Sequence, residues 1–229
     1  MSGEDRVGVL TVCAANICRS PLAEYLLSRS LPDAARLDGV SWTSAGREAS
    51  PNSPICISVV RNETQTEDWL TFAAQHRSRQ LTASDIDGAA LILTASQAER
   101  SAAGLLRPVA RPWTFTILEA ASLAEHAADT LEPGSLGGQG PEVLRQFAEV
   151  MNVSRGMVAI RPQARRTLFR RGRAGSPLDI PDAHQTSVPH HHVRETVHTA
   201  VARISTSLAR LSGAEREDWP TWLAGGSMP

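Results

Sequence analysis

A cysteine and an Arg-Ser pair, separated by five residues, lie between an apolar segment and a helix-start signal in this 229-residue chain. The segment from Val9 to Leu22 reads V-L-T-V-C-A-A-N-I-C-R-S-P-L, with Cys13 and Arg19 at the ends of the C-x5-R spacing. The apolar residues predict a short buried strand, and Ser20-Pro21 predicts a helix start with a hydroxyl cap and proline at the first helical position. The motif therefore predicts a strand, a tight loop and a helix.

Such a loop is suited to bind an oxyanion. Its amides converge near a helix N-terminus, and the planar guanidinium of Arg19 can bind two phosphate oxygens at once. The same positive field favours a thiolate at Cys13, which we therefore expect to be a nucleophile. The alternative is that Cys13 and Cys18 are small buried hydrophobic residues.

The other loop residues have predicted roles in binding phosphate. Asn16 tolerates a left-handed backbone and can tie the loop together, and the Ser20 hydroxyl can donate to the Cys13 sulfur. Cys18 either forms a reversible disulfide with Cys13 or only fills space. The predicted substrate-binding set is Ala14, Ala15, Asn16, Ile17, Cys18 and Ser20.

This stretch resembles the active-site loop of the low-molecular-weight protein tyrosine phosphatase family, which also includes arsenate reductases and protein arginine phosphatases. The resemblance implies a four-stranded parallel sheet flanked by helices. Ile17 matches the tyrosine phosphatases, whereas arginine phosphatases tend to have threonine there, and Ala15 replaces the usual glycine. Three later segments match family positions: Ser44-Ala45-Gly46, His76 to Leu81 and Leu91 to Thr94.

Strand and helix patterns alternate along the chain, which predicts an α/β fold with a parallel sheet. Further strands are predicted over Val40–Ser44, Ala89–Thr94 and Pro112–Ile117. Helices are predicted over Pro21–Leu31, Ile55–Arg61, Asp68–His76, Ser96–Leu106, Glu119–Leu131, Pro141–Val153 and a C-terminal segment spanning Val193 to Leu211. We expect one domain over residues 1–212, with a family-atypical helical and Arg-rich segment at 118–175, and a tail at 213–229.

The segment D-I-P-D, from Asp179 to Asp182, precedes the C-terminal helix. A cysteine phosphatase needs an acid to protonate the leaving oxygen, and the resemblance implies such an acid in a D-P-[YF] segment at this place. Asp182 is the predicted acid, with Asp179 or a turn without catalytic function as alternatives. The chain departs from the family pattern by having Ala183 for proline and His184 for the aromatic residue.

An arginine-rich segment, Arg161 to Arg173, contains six arginines and no acidic residue. Three interpretations stay open: a solvated loop, a clamp for an acidic or phosphorylated partner, or a contact with nucleic acid or anionic lipid.

Composition excludes several classes of function. A net charge of −1 argues against general nucleic-acid binding, and there is no apolar run of 18 residues or secretory leader, so we predict a cytoplasmic protein without a membrane span. Three cysteines fit a reducing compartment. No metal or organic cofactor is predicted, because the consecutive His190, His191 and His192 do not share one helix face.

The predicted function is hydrolysis of a phosphate monoester through a cysteinyl-phosphate, with Cys13, Arg19 and Asp182 as catalytic residues. The expected substrate is a phosphorylated protein or a small phosphate ester. Two alternatives stay open: a thiol-coupled arsenate reductase, and a catalytically weak phosphate-binding regulatory module. Thioredoxin-coupled reductases need further cysteines after the third strand, and Thr94 to Arg111 has none.

Overall fold

The computed structural model describes residues 7–31, 37–158 and 176–214. Its centre is a four-stranded parallel sheet in the order β2-β1-β3-β4, which confirms the predicted α/β architecture. The strands are β1 (Gly8–Cys13), β2 (Ser41–Gly46), β3 (Ala89–Thr94) and β4 (Thr114–Thr116).

Helices cover both faces of this sheet. They are α1 (Arg19–Ser30), α2 (Ile57–Asn62), α3 (Glu67–Gln75), α4 (Ala83–Asp87), α5 (Gln97–Leu106), α6 (Ile117–Thr130), α7 (Pro141–Val153) and α8 (His190–Ser212). A 3₁₀ helix, Pro108–Trp113, precedes β4.

The two central strands are buried along their whole length, as expected for a parallel sheet covered on both faces. Alternate side chains point to opposite faces. Val9 and Leu91 pack in the larger apolar cluster with α1, α6, α7 and α8, whereas Leu10 and Ile92 pack in a smaller cluster on the other face. β2 and β3 lie on opposite sides of β1, so the topological switch point, where open α/β sheets bind their ligands, is at the carboxyl ends of β1 and β3.

The first part of the family-atypical segment belongs to the core. Apolar residues of α6 and α7 lie in the larger cluster, and α6 packs along α8. Arg203 on α8 donates to both carboxylate oxygens of Glu125 on α6. The arginine-rich segment Arg161 to Arg173 and nearly all of the predicted tail, 215–229, lie outside the described residues.

The predicted bounds of the fourth strand were wrong. The fourth strand is shorter than Pro112–Ile117, because the 3₁₀ helix continues to Trp113 and Thr116 already caps α6. The Thr116 hydroxyl accepts from the Glu119 amide, and the Glu119 carboxylate accepts from the Thr116 amide, so the strand ends there.

Helix α4 was not predicted. It has only five residues, too few for an apolar period to show, and it starts with a capping box between Thr82 and Asp85. The sequence T-x-x-D, from Thr82 to Asp85, is typical of a capping box and was the signal that could have indicated this helix.

Candidate active site

The loop from Cys13 to Ser20, here called the phosphate loop, joins the centre of the sheet to α1. Cys13 is the last residue of β1 and is 2% exposed. Its Sγ accepts a hydrogen bond from the Asn16 amide at 3.2 Å and another from the Ser20 hydroxyl at 3.1 Å. Two donors are thus directed at this sulfur.

The predicted start of α1 was wrong by a few residues. The helix begins at Arg19 with Cys18 as N-cap, and no side chain caps it, because the Ser20 hydroxyl turns to the Cys13 sulfur. Pro21 is accordingly the third helical residue. A helix N-terminus without a side-chain cap leaves amides of its first turn available to an oxyanion.

Asn16 is the centre of the hydrogen-bond network beneath the loop. Its φ is +56°, and its side-chain amide donates to Ser20 Oγ at 3.0 Å and to Ser44 Oγ at 2.8 Å. Its Oδ1 accepts from the Arg79 amide at 3.0 Å. Within the described ranges, positive φ outside glycine occurs only at Asn16 and Asn52, so the alanine at position 15 is not strained.

The end of β2 supports the phosphate loop at very close range. The Arg47 and Glu48 amides donate to the carbonyls of Cys13 and Ala14, at 2.9 and 2.8 Å. A Cβ on Gly46 would lie 2.8 Å from the Ala14 carbonyl oxygen. This contact accounts for the glycine in the Ser44-Ala45-Gly46 match.

Two ionisable groups beside the network were missed by the sequence interpretation. Burial raises the pKa of Glu24, on α1, to about 7, although a hydrogen bond from Ser44 lowers it. Burial lowers the pKa of His76, whose Nε2 donates to the Asn16 carbonyl at 2.9 Å. Glu24 carries no motif that would have distinguished it from an ordinary surface residue, whereas His76 opens the segment His76 to Leu81 that matches a family position, which was the available signal.

Arg19 connects the phosphate loop to the segment 179–184, here called the acid loop. Its Nη1 donates to the Ile180 carbonyl at 2.9 Å, and its Nη2 donates to Asp182 Oδ2 at 2.5 Å. The side chains of Arg19 and Asp182 are 5% and 15% exposed. The structure thus brings the predicted acid to the guanidinium that would bind phosphate.

The two carboxylates of the acid loop have different partners. Asp179 Oδ1 accepts from the Gln97 amide at 2.9 Å, at the first residue of α5. Asp182 Oδ1 accepts from the His184 amide at 2.9 Å, while its other oxygen faces Arg19. The Ile180 amide anchors the loop to the Ala95 carbonyl just beyond β3 at 2.8 Å.

Thiols and imidazoles from three parts of the chain meet next to these loops. Cys18 Sγ and one ring nitrogen each of His184 and His190 lie within 4.8 Å of one another. Burial raises the pKa of the Cys18 thiol, and it lowers the pKa of His190. The sequence interpretation considered the histidines only by their spacing along α8, so it did not find this cluster.

No helix in the described parts of the chain is both long and apolar enough to cross a membrane.

Comparison with known proteins identifies a family and relatives of this chain, and the family match includes the sheet and the phosphate loop. A family model described as "Low molecular weight phosphotyrosine protein phosphatase" matches residues 8–154 and so ends before the acid loop. Two curated relatives named "Probable low molecular weight protein-tyrosine-phosphatase EpsP", from Ralstonia nicotianae and Ralstonia solanacearum, are 40% and 39% identical over 92 residues. That alignment covers 40% of this chain and 57% of each relative, so the chain spans little more than half of their length.

A third relative, "Low molecular weight protein-tyrosine-phosphatase Ptp" of Acinetobacter johnsonii, is 30% identical over 113 residues, covering 48% of this chain and 70% of the relative.

Two solved structures are similar in fold. YwlE arginine phosphatase from Geobacillus stearothermophilus has a TM-score of 0.52 at 22% identity, over 88% of this chain and 92% of that chain. YfkJ from Bacillus subtilis has a TM-score of 0.53 at 17% identity, over 89% and 94%. Since the family model extends from β1 to the end of α7, well over half of the sequence, the chain belongs to the low molecular weight phosphotyrosine protein phosphatase family.

Proposed function

We propose that this chain is a cysteine-dependent phosphatase that hydrolyses phosphate monoesters, with phosphotyrosine in proteins as its substrate class. One observation carries the proposal: Cys13 Sγ accepts two hydrogen bonds at the base of a helix N-terminus that has no side-chain cap, in the same loop as Arg19. This arrangement presents a nucleophile and oxyanion donors to one phosphoryl group.

In the first step the Cys13 thiolate attacks phosphorus in line, and the bond from phosphorus to the leaving oxygen breaks. Asp182 gives its proton to that oxygen, so an alcohol or phenol leaves. Arg19 and the loop amides stabilise the equatorial oxygens. Because Arg19 Nη2 donates to Asp182 before substrate binds, an incoming phosphate competes for that donor and releases the carboxyl group.

In the second step Asp182 takes a proton from water, and the water oxygen attacks phosphorus. The sulfur–phosphorus bond breaks, inorganic phosphate leaves, and the Cys13 thiolate is regenerated. The Ser20 hydroxyl, which donates to Cys13 Sγ, stabilises this leaving thiolate.

Different contacts of the two acid-loop carboxylates support Asp182 as the acid. Asp179 is bound to an amide at the start of α5, where a carboxylate stabilises the helix. Asp182 is bound to the guanidinium that would bind the phosphate. We therefore assign the proton transfers to Asp182 and helix stabilisation to Asp179.

The proposed substrate class, phosphotyrosine in proteins, is supported by the curated relatives, which are named as protein-tyrosine phosphatases. Ile17 in the phosphate loop also supports it, because this residue matches the tyrosine phosphatases. The solved arginine phosphatase shares the fold with this chain and carries no argument about its substrate. The reducing environment that free Cys13, Cys18 and Cys56 would need is consistent with action in the cytoplasm.

The test is turnover of an aryl phosphate and of matched peptides bearing phosphotyrosine, phosphoserine or phosphoarginine. We expect hydrolysis of the aryl phosphate and preference for the phosphotyrosine peptide. Cys13→Ser should abolish turnover while phosphate still raises the melting temperature of the variant, because Arg19 and the loop amides remain.

Two outcomes would replace the proposal. Phosphate binding without hydrolysis by the wild-type chain would indicate a binding module. Arsenate-dependent consumption of a thiol, without ester hydrolysis, would indicate a reductase.

A further inference from the structure

Cys18, His184 and His190 converge on one point with Cys56 beside His190, and these four residues, here called the thiol–imidazole cluster, have the donor set of a metal site. Nitrogen and sulfur ligands at ordinary zinc bond lengths stand about 3.4 Å (N to N) and about 3.6 Å (N to S) apart around a tetrahedral ion. The Nε2 atoms of His184 and His190 are 3.4 Å apart. Cys56 Sγ lies 3.5 Å from His190 Nε2.

Cys18 completes a convergent set. Its Sγ and one ring nitrogen of each histidine lie within 4.8 Å of one another, so small side-chain rotations would bring them to ligand spacing. Cys18 is buried, His190 is half-buried and His184 is exposed, so the cluster has a buried thiol at its base and an opening to solvent. An ion can therefore reach the site without unfolding the chain.

The four residues of the cluster lie in separate parts of the fold. Cys18 is the N-cap of α1 within the phosphate loop, His184 lies in the acid loop, and His190 is the first residue of α8. Cys56 is the N-cap of α2. His184 also occupies the position where the family pattern has tyrosine or phenylalanine, neither of which offers an imidazole nitrogen.

We propose that Cys18, His184 and His190 bind a Zn²⁺-class transition-metal ion, with Cys56 as the fourth ligand. The Cys18 and Cys56 thiols each release a proton to water as their sulfur–metal bonds form, and each imidazole donates a nitrogen lone pair, so no oxidation or reduction takes place. Thiolate and imidazole ligands select Zn²⁺ or Co²⁺ over Mg²⁺ and Ca²⁺.

Metal binding would join the phosphate loop to the acid loop. His184 follows Asp182 by two positions, and its amide already donates to the Asp182 carboxylate. An ion bound to His184 and Cys18 would hold Asp182 against Arg19, the donor that substrate phosphate must use. This regulatory consequence rests on the proposed phosphatase function, whereas the metal site itself does not.

The metal site is tested by titrating the reduced full-length chain with Co²⁺ and recording its visible and near-ultraviolet absorption. We expect a single ion per chain, with the strong visible bands of a tetrahedral complex and a thiolate-to-cobalt charge-transfer band. His184→Ala and His190→Ala should each weaken binding at least tenfold, and Cys18→Ser should remove the charge-transfer band or shift it.

His191→Ala is the matched control, because this exposed neighbour on α8 is outside the cluster and the variant should bind Co²⁺ like the wild type. Cys13→Ser should also retain the spectrum. Absence of the tetrahedral spectrum in the wild type would overturn the proposal. So would its loss in Cys13→Ser, or unchanged binding in His184→Ala and His190→Ala; circular dichroism of each variant reports whether it is folded.

A separate measurement addresses regulation. Zn²⁺ should raise the KM for an aryl phosphate more than it lowers kcat, and His190→Ala should move this inhibition to at least tenfold higher Zn²⁺. If Co²⁺ binds as expected but the chain has no turnover, the phosphatase proposal fails and the metal site stands. Equal Zn²⁺ inhibition of wild type and His190→Ala would exclude regulation through this cluster.

Discussion

At the scale of single residues, Cys13 and Cys18 lie in the same loop, but their different surroundings give the two thiols different properties. Cys13 Sγ accepts hydrogen bonds from the Asn16 amide and the Ser20 hydroxyl, and lies at the base of the phosphate loop. Cys18 is buried at the N-terminus of α1, and burial raises the pKa of its thiol. We infer that Cys13 is the nucleophile and that Cys18 stays protonated unless a metal displaces its proton.

The acid assignment makes a prediction at this scale. Asp182→Asn should lower kcat by roughly two to four decades, the range for general acid catalysis, with a greater loss on poor leaving groups than on good ones. Steady-state kinetics on a series of aryl phosphates measures how kcat depends on the pKa of the leaving group. Asp179→Asn is the matched control, since it weakens the contact with the Gln97 amide and should leave the leaving-group dependence unchanged. The reverse pattern would assign the acid to Asp179.

At the scale of elements, β2 and the phosphate loop form one unit. The end of β2 donates two backbone hydrogen bonds to the loop, and Gly46 lies where a Cβ would come within 2.9 Å of the Asn16 amide nitrogen. Backbone atoms held by hydrogen bonds on both sides cannot move as a flexible side chain can. The loop geometry therefore depends on the absence of a side chain at Gly46.

We accordingly predict that Gly46→Ala displaces the phosphate loop. It should lower kcat/KM at least tenfold and destabilise the fold by about 1–3 kcal/mol, the usual effect of overpacking. Gly104→Ala is the control, because this glycine of α5 has open space around it. Alanine stabilises a helix by about 0.5–1 kcal/mol relative to glycine, so this variant should not be destabilised. Kinetics and urea denaturation of both variants provide the comparison, and a fully active Gly46→Ala would show that the loop tolerates the contact.

At the scale of the whole molecule, stability depends on pH through half-buried Glu24. Its pKa in the folded chain, about 7, is above the ordinary carboxyl value of 4.5, so the folded state binds the proton more tightly than the unfolded state does. Stability from this group is therefore fully present below about pH 4.5 and is lost as pH rises to about 7.

Glu24→Gln should remove this dependence. Relative to the wild type, the variant should gain roughly 2 kcal/mol in the free energy of unfolding between pH 5 and pH 8, since one pKa unit corresponds to about 1.4 kcal/mol. Urea denaturation of both proteins at the two pH values measures the difference. A gap between the two proteins that does not change with pH would show that Glu24 ionises normally in the folded chain.

Local patterns predicted much of the fold. The apolar run Ala89–Thr94 and the helix Pro141–Val153 have the predicted bounds, because burial of a whole strand and the apolar spacing of a helix are visible in consecutive residues. The C-x5-R spacing likewise identified the phosphate loop, because the two donors to Cys13 Sγ lie only three and seven positions along the chain from Cys13. Exact boundaries, such as the start of α1 at Arg19 and the end of β4 at the capping box of α6, were not predictable in this way.

What the sequence by itself determined is therefore the alternating α/β order and the position of the phosphate loop with Cys13 and Arg19, the proposed nucleophile and oxyanion ligand, since both follow from short-range spacing. Only the tertiary structure decided that Asp182 meets Arg19 across 163 positions and that Asp179 is bound at α5. The meeting of Cys18 with His184 and His190 was decided in the same way. Such contacts depend on the order of the strands and on the packing of α8 against α1, α2 and α6, because residues far apart in the chain become neighbours only when the elements between them have packed.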